Sequence, residues 1–328
     1  MKIIENTLRD GSYTVDFQMT KKDTSSVVKE LAEVGFEIIE IGHGLGLGAY
    51  NKPEIGLSAN NDTDYITAAK EVAGDAKISA FFIPGIGTKE DIKNASECGL
   101  DFIRIGININ QYEQTREYAE YAKSLGLSVG VNCMKSYALK PYEFNKIARS
   151  IDSWKLADVI YLVDSAGCMT PDDIDLYLRK TSEQITTKLG FHGHNNLSLA
   201  AINSIQAIKS GATYVDSCIR GMGRSAGNAQ TEILIILLQR LGYYKNINVY
   251  DLYKIANDVV VPMMVRSQGM TDNEIHIGYS KFHTSYMPYV KQASKKYNID
   301  EKKLIKIVSD INCLDPSEDL FNEIANEI

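Results

Sequence analysis

Eight short β-branched runs alternate with stretches of helical periodicity from the N-terminus to about Leu241, and this rhythm constrains the fold more than any other feature of the chain. The runs predict strands at Ile3–Asn6, Glu37–Gly42, Lys77–Ile83, Phe102–Gly106, Ser128–Asn132, Val159–Asp164, Leu189–His192 and Tyr214–Cys218. Between them, apolar residues at helical spacing predict helices such as Thr24–Val34, Glu113–Ser124, Asp172–Lys188, Ser198–Lys209 and Ala229–Leu241. Gly35, Gly99, Gly126, Gly211 and Gly242 follow helical patterns where a left-handed cap would end them. Strand–helix alternation implies a parallel sheet covered by helices. Eight such units approach the ~250 residues of a (β/α)8 barrel. An open doubly wound sheet is the alternative, but no GxGxxG follows the first run. The expected architecture is therefore a TIM barrel over residues 1–242 and a helical cap or interface domain over residues 243–328.

Composition narrows the function. The 328 residues are 44% hydrophobic and 23% charged, with a net charge of −7. An acidic chain without a basic stripe is a poor ligand for a phosphate backbone, so nucleic acid is excluded as a partner. The longest strongly apolar stretch, Ile233 to Leu238, is too short for a bilayer, and the chain enters its first strand with no room for a removable signal. Five scattered cysteines with no CxxC pair read as reduced thiols of a cytoplasmic protein.

Barrel chemistry gathers at the carboxyl ends of the strands. Those ends carry Arg9-Asp10, His43, Pro84, Asn108, Asn132, Asp164-Ser165, His192 with His194, and the loop from Arg220 to Asn228. A purely structural barrel has no need of so many polar groups there. His192 and His194 are two apart, so both imidazoles face one space. Asp10 supplies a carboxylate from the first strand, and Asn228 could add an amide oxygen. Such a mixed nitrogen–oxygen set suits a divalent cation, Mn²⁺ first, with Mg²⁺, Co²⁺ or Zn²⁺ as alternatives. Arg9, always cationic, stands beside Asp10 where it can stabilise a carboxylate or an enolate.

Three segments, Thr7-Leu8-Arg9-Asp10-Gly11, His192-Gly193-His194-Asn195 and Gly221 through Asn228, resemble the metal-dependent lyases that include 3-hydroxy-3-methylglutaryl-CoA lyase and isopropylmalate synthase. Glu40 through Gly48, Pro84 through Thr88 and Val163 through Gly167 extend the resemblance to the 4-hydroxy-2-oxovalerate aldolases of that superfamily. The resemblance implies Asp10, His192 and His194 as metal ligands, with Asn228 a ligand in the lyase branch. It implies a 2-oxo acid such as pyruvate chelated by the metal, an enolate stabilised by the metal and Arg9, and an aldehyde as reaction partner. A homo-oligomer and an association with an aldehyde dehydrogenase subunit belong to the same implication.

Two positions depart from the aldolase pattern. Tyr13 stands where the aldolases carry a histidine, and His283 falls where they carry an active-site tyrosine. We expect His283 to supply proton transfer and Tyr13 a hydroxyl, since a phenol is a poor base at neutral pH. Ser165 is expected to face the substrate. His43 either contacts substrate or braces its glycine-rich loop, and Tyr279, Tyr286 and Tyr289 line a pocket or an interface. Two competing functions are a Claisen-type acyltransferase joining acetyl-CoA to a 2-oxo acid, and a non-catalytic metal- and ligand-binding partner subunit. No cysteine lies between Gly221 and Asn228, which argues against the lyase of the HMG-CoA type.

Overall fold

In the computed structural model, which describes residues 1–328, eight parallel strands close into a barrel in sequence order. They are β1 (Lys2–Leu8), β2 (Ile38–Ile41), β3 (Lys77–Phe82), β4 (Phe102–Asn108), β5 (Ser128–Met134), β6 (Val159–Asp164), β7 (Lys188–Gly193) and β8 (Ala212–Ser217). Closure is made by β1 against β8, with Ile4 opposite Asp216. Each strand sits within a few residues of its predicted run. The outer ring is α1 (Lys21–Val34), α2 (Asp62–Lys70), α3 (Lys89–Glu97), α4 (Thr115–Ser124), α5 (Pro141–Trp154), α6 (Pro171–Ser182), α7 (Ala200–Lys209) and α8 (Thr231–Arg240).

Local chemistry explains where these helices start and stop. Thr20, Thr88 and Thr170 each form a capping box with the Asp three residues on, satisfying amides that the first turn cannot bond internally. The five glycines expected to end helices all carry positive φ. One expectation needs correction: the helix predicted over Asp172–Lys188 stops at Ser182. The amides of Thr186 and Thr187 donate to Asp152 Oδ1 at 3.2 and 2.8 Å, which draws the chain off the helix and delivers Lys188 into β7.

Two apolar layers follow from the alternation of side chains along the strands. Outward residues such as Ile39, Ile78, Ile103, Val129 and Val131 join the helices in the main core. Inside the barrel, Ile4, Ile38, Phe102, Val159, Tyr161 and Val163 form a smaller plug. Above that plug the interior turns polar: Asn6, Glu40, Arg104 and Asp216 are all buried. Gly106 makes room at this level, since a Cβ there would lie 2.2 Å from the Phe81 ring.

After β8 the chain is helical, as expected. Helix α9 (Val249–Lys254) and the π-helical turn Ile255–Val260 place Leu252, Ile255, Ala256 and Val260 in the main core. Helices α10 (Asp272–Tyr279), α11 (Met287–Tyr297), α12 (Glu301–Ile311) and α13 (Glu318–Glu327) then pack around a core of nine buried residues that includes Phe282, Leu304 and Phe321. No helix is long and apolar enough to cross a membrane.

Candidate active site

A cavity of about 580 Å³ lies over the carboxyl ends of the strands and is walled on its far side by residues 283–286 of the helical tail. Arg9, Asp10, Tyr13, Ser165, His192, His194 and His283, all singled out from the sequence, line this one space. They come from both ends of the chain, so only the closed barrel and the folded tail bring them together.

Asp10, His192 and His194 form the floor. One ligand atom from each lies within 4.8 Å of the others, and all three residues are buried. Asp10 Oδ2 is 3.4 Å from His192 Nε2 and 3.9 Å from His194 Nε2. Each imidazole is anchored through its other nitrogen. His192 Nδ1 lies 2.8 Å from Asp216 Oδ2, and His194 Nδ1 lies 3.2 Å from the Gly227 carbonyl. Those acceptors suit a ring proton on Nδ1 with Nε2 free for a cation, the arrangement that metal-ligating histidines use. In the protein alone, burial is outweighed by hydrogen bonds to Asp10 and Asp216, which raise the His192 imidazole, so a cation there would displace the Nε2 proton. Asn228, also expected among the ligands, is buried but not part of the cavity lining: Nδ2 donates to the Met222 carbonyl at 2.9 Å, while Oδ1 has no partner. An acceptor left buried in this way costs free energy unless a donor or cation meets it. The donor set therefore fits a divalent cation.

Electrostatics agree with that fit. Burial alone would raise the Asp10 carboxyl, but Arg9 and the two histidines outweigh it and hold Asp10 well below the usual carboxylate range. Burial, followed by the positive charge of Arg224, holds the His194 imidazole well below its ordinary value. Both groups are thus kept in the forms that bind cations.

Beneath the floor runs a buried ionic chain whose central members, Glu40, Arg104 and Asp216, had no role assigned from the sequence. Arg104 gives Nε and Nη2 to the two Glu40 oxygens at 2.6 and 2.5 Å, and Nη1 to Asp216 Oδ2 at 2.5 Å. Glu40 also accepts from Arg9 Nε at 2.6 Å, so Arg9 is held between Glu40 and Asp10. The chain runs Arg9–Glu40–Arg104–Asp216–His192 and braces both the cationic side chain and one imidazole. A local signal existed: a single charge at an inward position of Ile38–Ile41, of Phe102–Asn108 and of Ala212–Ser217, each among apolar neighbours. Buried charges are kept only when paired.

Tyr13 and His283 both face the cavity, one from the turn after β1 and one from the tail. Burial pushes the Tyr13 phenol up to about 12. His283 Nδ1 accepts from the Ser285 amide at 3.2 Å, which puts the ring proton on Nε2. Burial first, then Arg224 and Lys135, holds this imidazole far below its ordinary value and so neutral. The Ser165 hydroxyl accepts from the Lys135 amide at 3.1 Å.

Of the two readings left open for His43, contact with substrate or a brace for its loop, the geometry favours the brace. His43 is buried outside the cavity lining, with Nε2 3.1 Å from the Gly56 carbonyl, Nδ1 accepting from the Leu45 amide at 3.0 Å, and its ring stacked on Phe17 at 3.9 Å. Both nitrogens are consumed in bracing the loop. Tyr286 lines the cavity, whereas Tyr279 is exposed and Tyr289 packs on Phe321 at the small core.

Two cationic residues of the wall had no role assigned from sequence. Arg224 donates to Thr284 Oγ1, to the Ser165 carbonyl at 2.8 Å, and to His194 Nε2 at 3.2 Å. Lys135, 3% exposed and at φ +59°, donates from Nζ to the Tyr286 hydroxyl at 2.6 Å and to the Leu314 carbonyl at 2.8 Å. Nothing in the local sequence around Lys135 marks it, since its surroundings are set by a tail 150 residues and more away. Among the thiols, burial raises Cys133 to about 12 and Cys218 well above its ordinary range, which makes both poor nucleophiles.

The family model described as HMGL-like matches residues 1–259. A Carboxydothermus hydrogenoformans protein named 4-hydroxy-2-oxovalerate aldolase is 33% identical over all of this chain and 97% of its own length. A Rhodococcus jostii protein named 4-hydroxy-2-oxovalerate aldolase 2 is 32% identical over 99% of this chain and 94% of its own. Among solved structures, the carboxyl transferase domain of Rhizobium etli pyruvate carboxylase superposes with a TM-score of 0.80 at 14% identity, covering all of this chain and 60% of that one. The HMG-CoA lyase of Brucella melitensis gives 0.68 at 16% identity, over 81% of this chain and 99% of that one. At such identities the two structures speak for the barrel alone, while the family model and the full-length relatives speak for descent: this chain is a member of the HMGL-like family and belongs with its 4-hydroxy-2-oxovalerate aldolases.

Proposed function

We propose that this enzyme takes a methyl proton from pyruvate or a similar 2-oxo acid and adds the resulting enolate to an aldehyde, or cleaves a 4-hydroxy-2-oxo acid by the reverse route. The observation that carries this reading is the buried Asp10, His192 and His194 group beside Arg9 at the floor of a substrate-sized cavity. Asp10, His192, His194 and the unpartnered Oδ1 of Asn228 would hold a divalent cation, Mn²⁺ first for a mixed nitrogen–oxygen set. When bound, that cation supplies Lewis-acid polarisation of the keto group beside the carbon that loses its proton.

The chain's own residues do the rest. Arg9, oriented by Glu40, binds the carboxylate of the 2-oxo acid and opposes the negative charge that develops on the enolate. His283 carries the proton-transfer role: its neutral imidazole takes up the proton released by the methyl group, and the ring then delivers a proton to the aldehyde oxygen as it becomes an alkoxide, so the imidazole ends neutral as it began. Tyr13, its phenol protonated at neutral pH, contributes a hydroxyl donor and not a base. Ser165 closes the substrate side of the wall. Residues 243–328 act as a cap domain that completes the site through His283. On the strength of its five free thiols we place the protein in the cytoplasm; a homo-oligomer with an associated aldehyde dehydrogenase is the assembly its resemblance implies.

The test is exchange of pyruvate methyl protons with deuterated water, followed by NMR with and without a chelator. Exchange that requires Mn²⁺ or a similar ion and disappears in Asp10→Ala supports the reading. Absence of exchange with every metal tried would show that pyruvate is not the nucleophile.

A further inference from the structure

Two of the cationic side chains that line the cavity have no counter-ion. Arg9 is neutralised by Glu40 and Asp10. No carboxylate lies within ion-pairing distance of Lys135 or Arg224, whose side-chain partners are hydroxyls, carbonyls and the neutral His194 ring. The one carboxylate tied to Lys135, that of Asp315, reaches it through the Tyr286 hydroxyl at 3.0 Å. An ammonium offers three donors, and two of those on Lys135 are used within the protein. Burying such a charge without a partner is costly, and burial accordingly lowers Lys135 to about 8. Its backbone sits in the left-handed region at φ +59°, a conformation that favours Gly or Asn. Strain and an unpaired charge at one buried lysine are tolerated where a ligand uses them.

The cavity is also larger than the proposed nucleophile requires. At about 580 Å³ it falls within the ~300–1,000 Å³ of sites that enclose drug-sized ligands. A three-carbon oxo acid and a two-carbon aldehyde would leave much of it empty.

We propose that the aldehyde accepted here carries an anionic group, a carboxylate or a phosphate, at the end away from its carbonyl, and that Lys135 and Arg224 hold that group. The assignment rests on the aldolase reading above and adds the class of the acceptor. Lys135 offers a point charge, with the Ser285 and Tyr286 hydroxyls on the same wall; the Arg224 guanidinium spans from Thr284 to His194 Nε2, so it meets the anion from its Thr284 side, through Nη1. The acceptor is thereby oriented with its carbonyl toward the Asp10 end of the cavity and its charge toward the tail.

The full-length enzyme with Mn²⁺ and pyruvate is assayed on aldehyde pairs matched in length. Succinic semialdehyde is set against butanal, and glyceraldehyde 3-phosphate against glyceraldehyde, which separates carboxylate from phosphate. The expected result is a kcat/KM at least about tenfold higher for the anionic member of one pair, the scale of a charge-assisted contact. Lys135→Met should erase most of that advantage, and Lys135→Arg should restore part of it. Equal kcat/KM within both pairs in the wild-type enzyme overturns the proposal, a result that stands even if Lys135→Met does not fold. An advantage that survives in Lys135→Met overturns the role of Lys135. Pyruvate proton exchange, run alongside, separates the two levels: exchange with no charge preference sinks this inference alone, and absence of exchange removes pyruvate as the nucleophile and with it the reading on which this inference is tested.

Discussion

His192 Nδ1 and Asp216 Oδ2 are 2.8 Å apart, and the same carboxylate oxygen receives Arg104 Nη1 at 2.5 Å. Asp216 therefore sets both the tautomer and the tilt of an imidazole whose other nitrogen faces Asp10. Replacing Asp216 with Asn keeps the volume but removes the charge and offers both an acceptor and a donor, so that either ring tautomer can be satisfied. Metal affinity should fall by about 10–100-fold, the usual cost of losing such a partner. Titration calorimetry with Mn²⁺ measures it, and an unchanged affinity would show that Asp216 serves the barrel interior and not the metal group.

Arg104 is the hub of the interior charges, completely buried between Glu40 and Asp216. Arg104→Leu leaves Glu40 with Arg9 as its one cation and Asp216 with only the Asn6 amide and the His192 ring. Breaking one side of a buried pair costs about 3–5 kcal/mol. Urea denaturation should show a loss of that order, with Arg104→Lys intermediate because an ammonium cannot span both carboxylates as the guanidinium does. A loss below about 1 kcal/mol would mean that water or proton uptake relieves the carboxylates.

Gly44 passes so close to Tyr13 that a Cβ at this position would stand 2.3 Å from Tyr13 Cε2. Gly44→Ala must push the ring aside and so displace its hydroxyl from the cavity. The expected outcome is a fall in aldol turnover with a modest stability cost, up to about 1–3 kcal/mol if the ring resists. A double-mutant cycle decides the cause: in a Tyr13→Ala background the Gly44 substitution should cost little further activity. An equal loss in both backgrounds would place the defect in the loop and not in Tyr13.

Burial lowers His43 to about 4 from the ordinary 6.5. Between those values the unfolded chain takes up a proton that the folded one refuses. The contribution of His43 is complete above about pH 6.5 and is lost as pH falls toward 4, at most on the order of 3 kcal/mol. No charged side chain bonds the ring, whose partners are Gly56, Leu45 and Phe17. Stability measured from pH 7 to 4 should fall less steeply in His43→Gln than in the wild type. Parallel curves would exonerate His43.

The strands, the barrel closure and the Asp10, His192 and His194 group could all be read from the sequence because their signals are local. Side chains alternate every two residues along β7, so His192 and His194 necessarily share a face, and Asp10 follows a strand end by position alone. The capping boxes and the glycine caps likewise act within a single turn. The overextended helix at Asp172–Lys188 failed for the opposite reason, since what stops it is a carboxylate 34 residues earlier in the chain.

What the sequence by itself determined was which residues point into the barrel mouth; what they meet there was decided by tertiary structure. Glu40, Arg104 and Asp216 become one network only after β2, β4 and β8 are curled around a common axis. Lys135 becomes a buried cation only when Tyr286 and Leu314 close over it, and His43 becomes a brace only when the Gly56 carbonyl arrives. Charge, burial and hydrogen-bond partnership are properties of neighbours, and for these residues the neighbours lie 13 to 179 positions away along the chain.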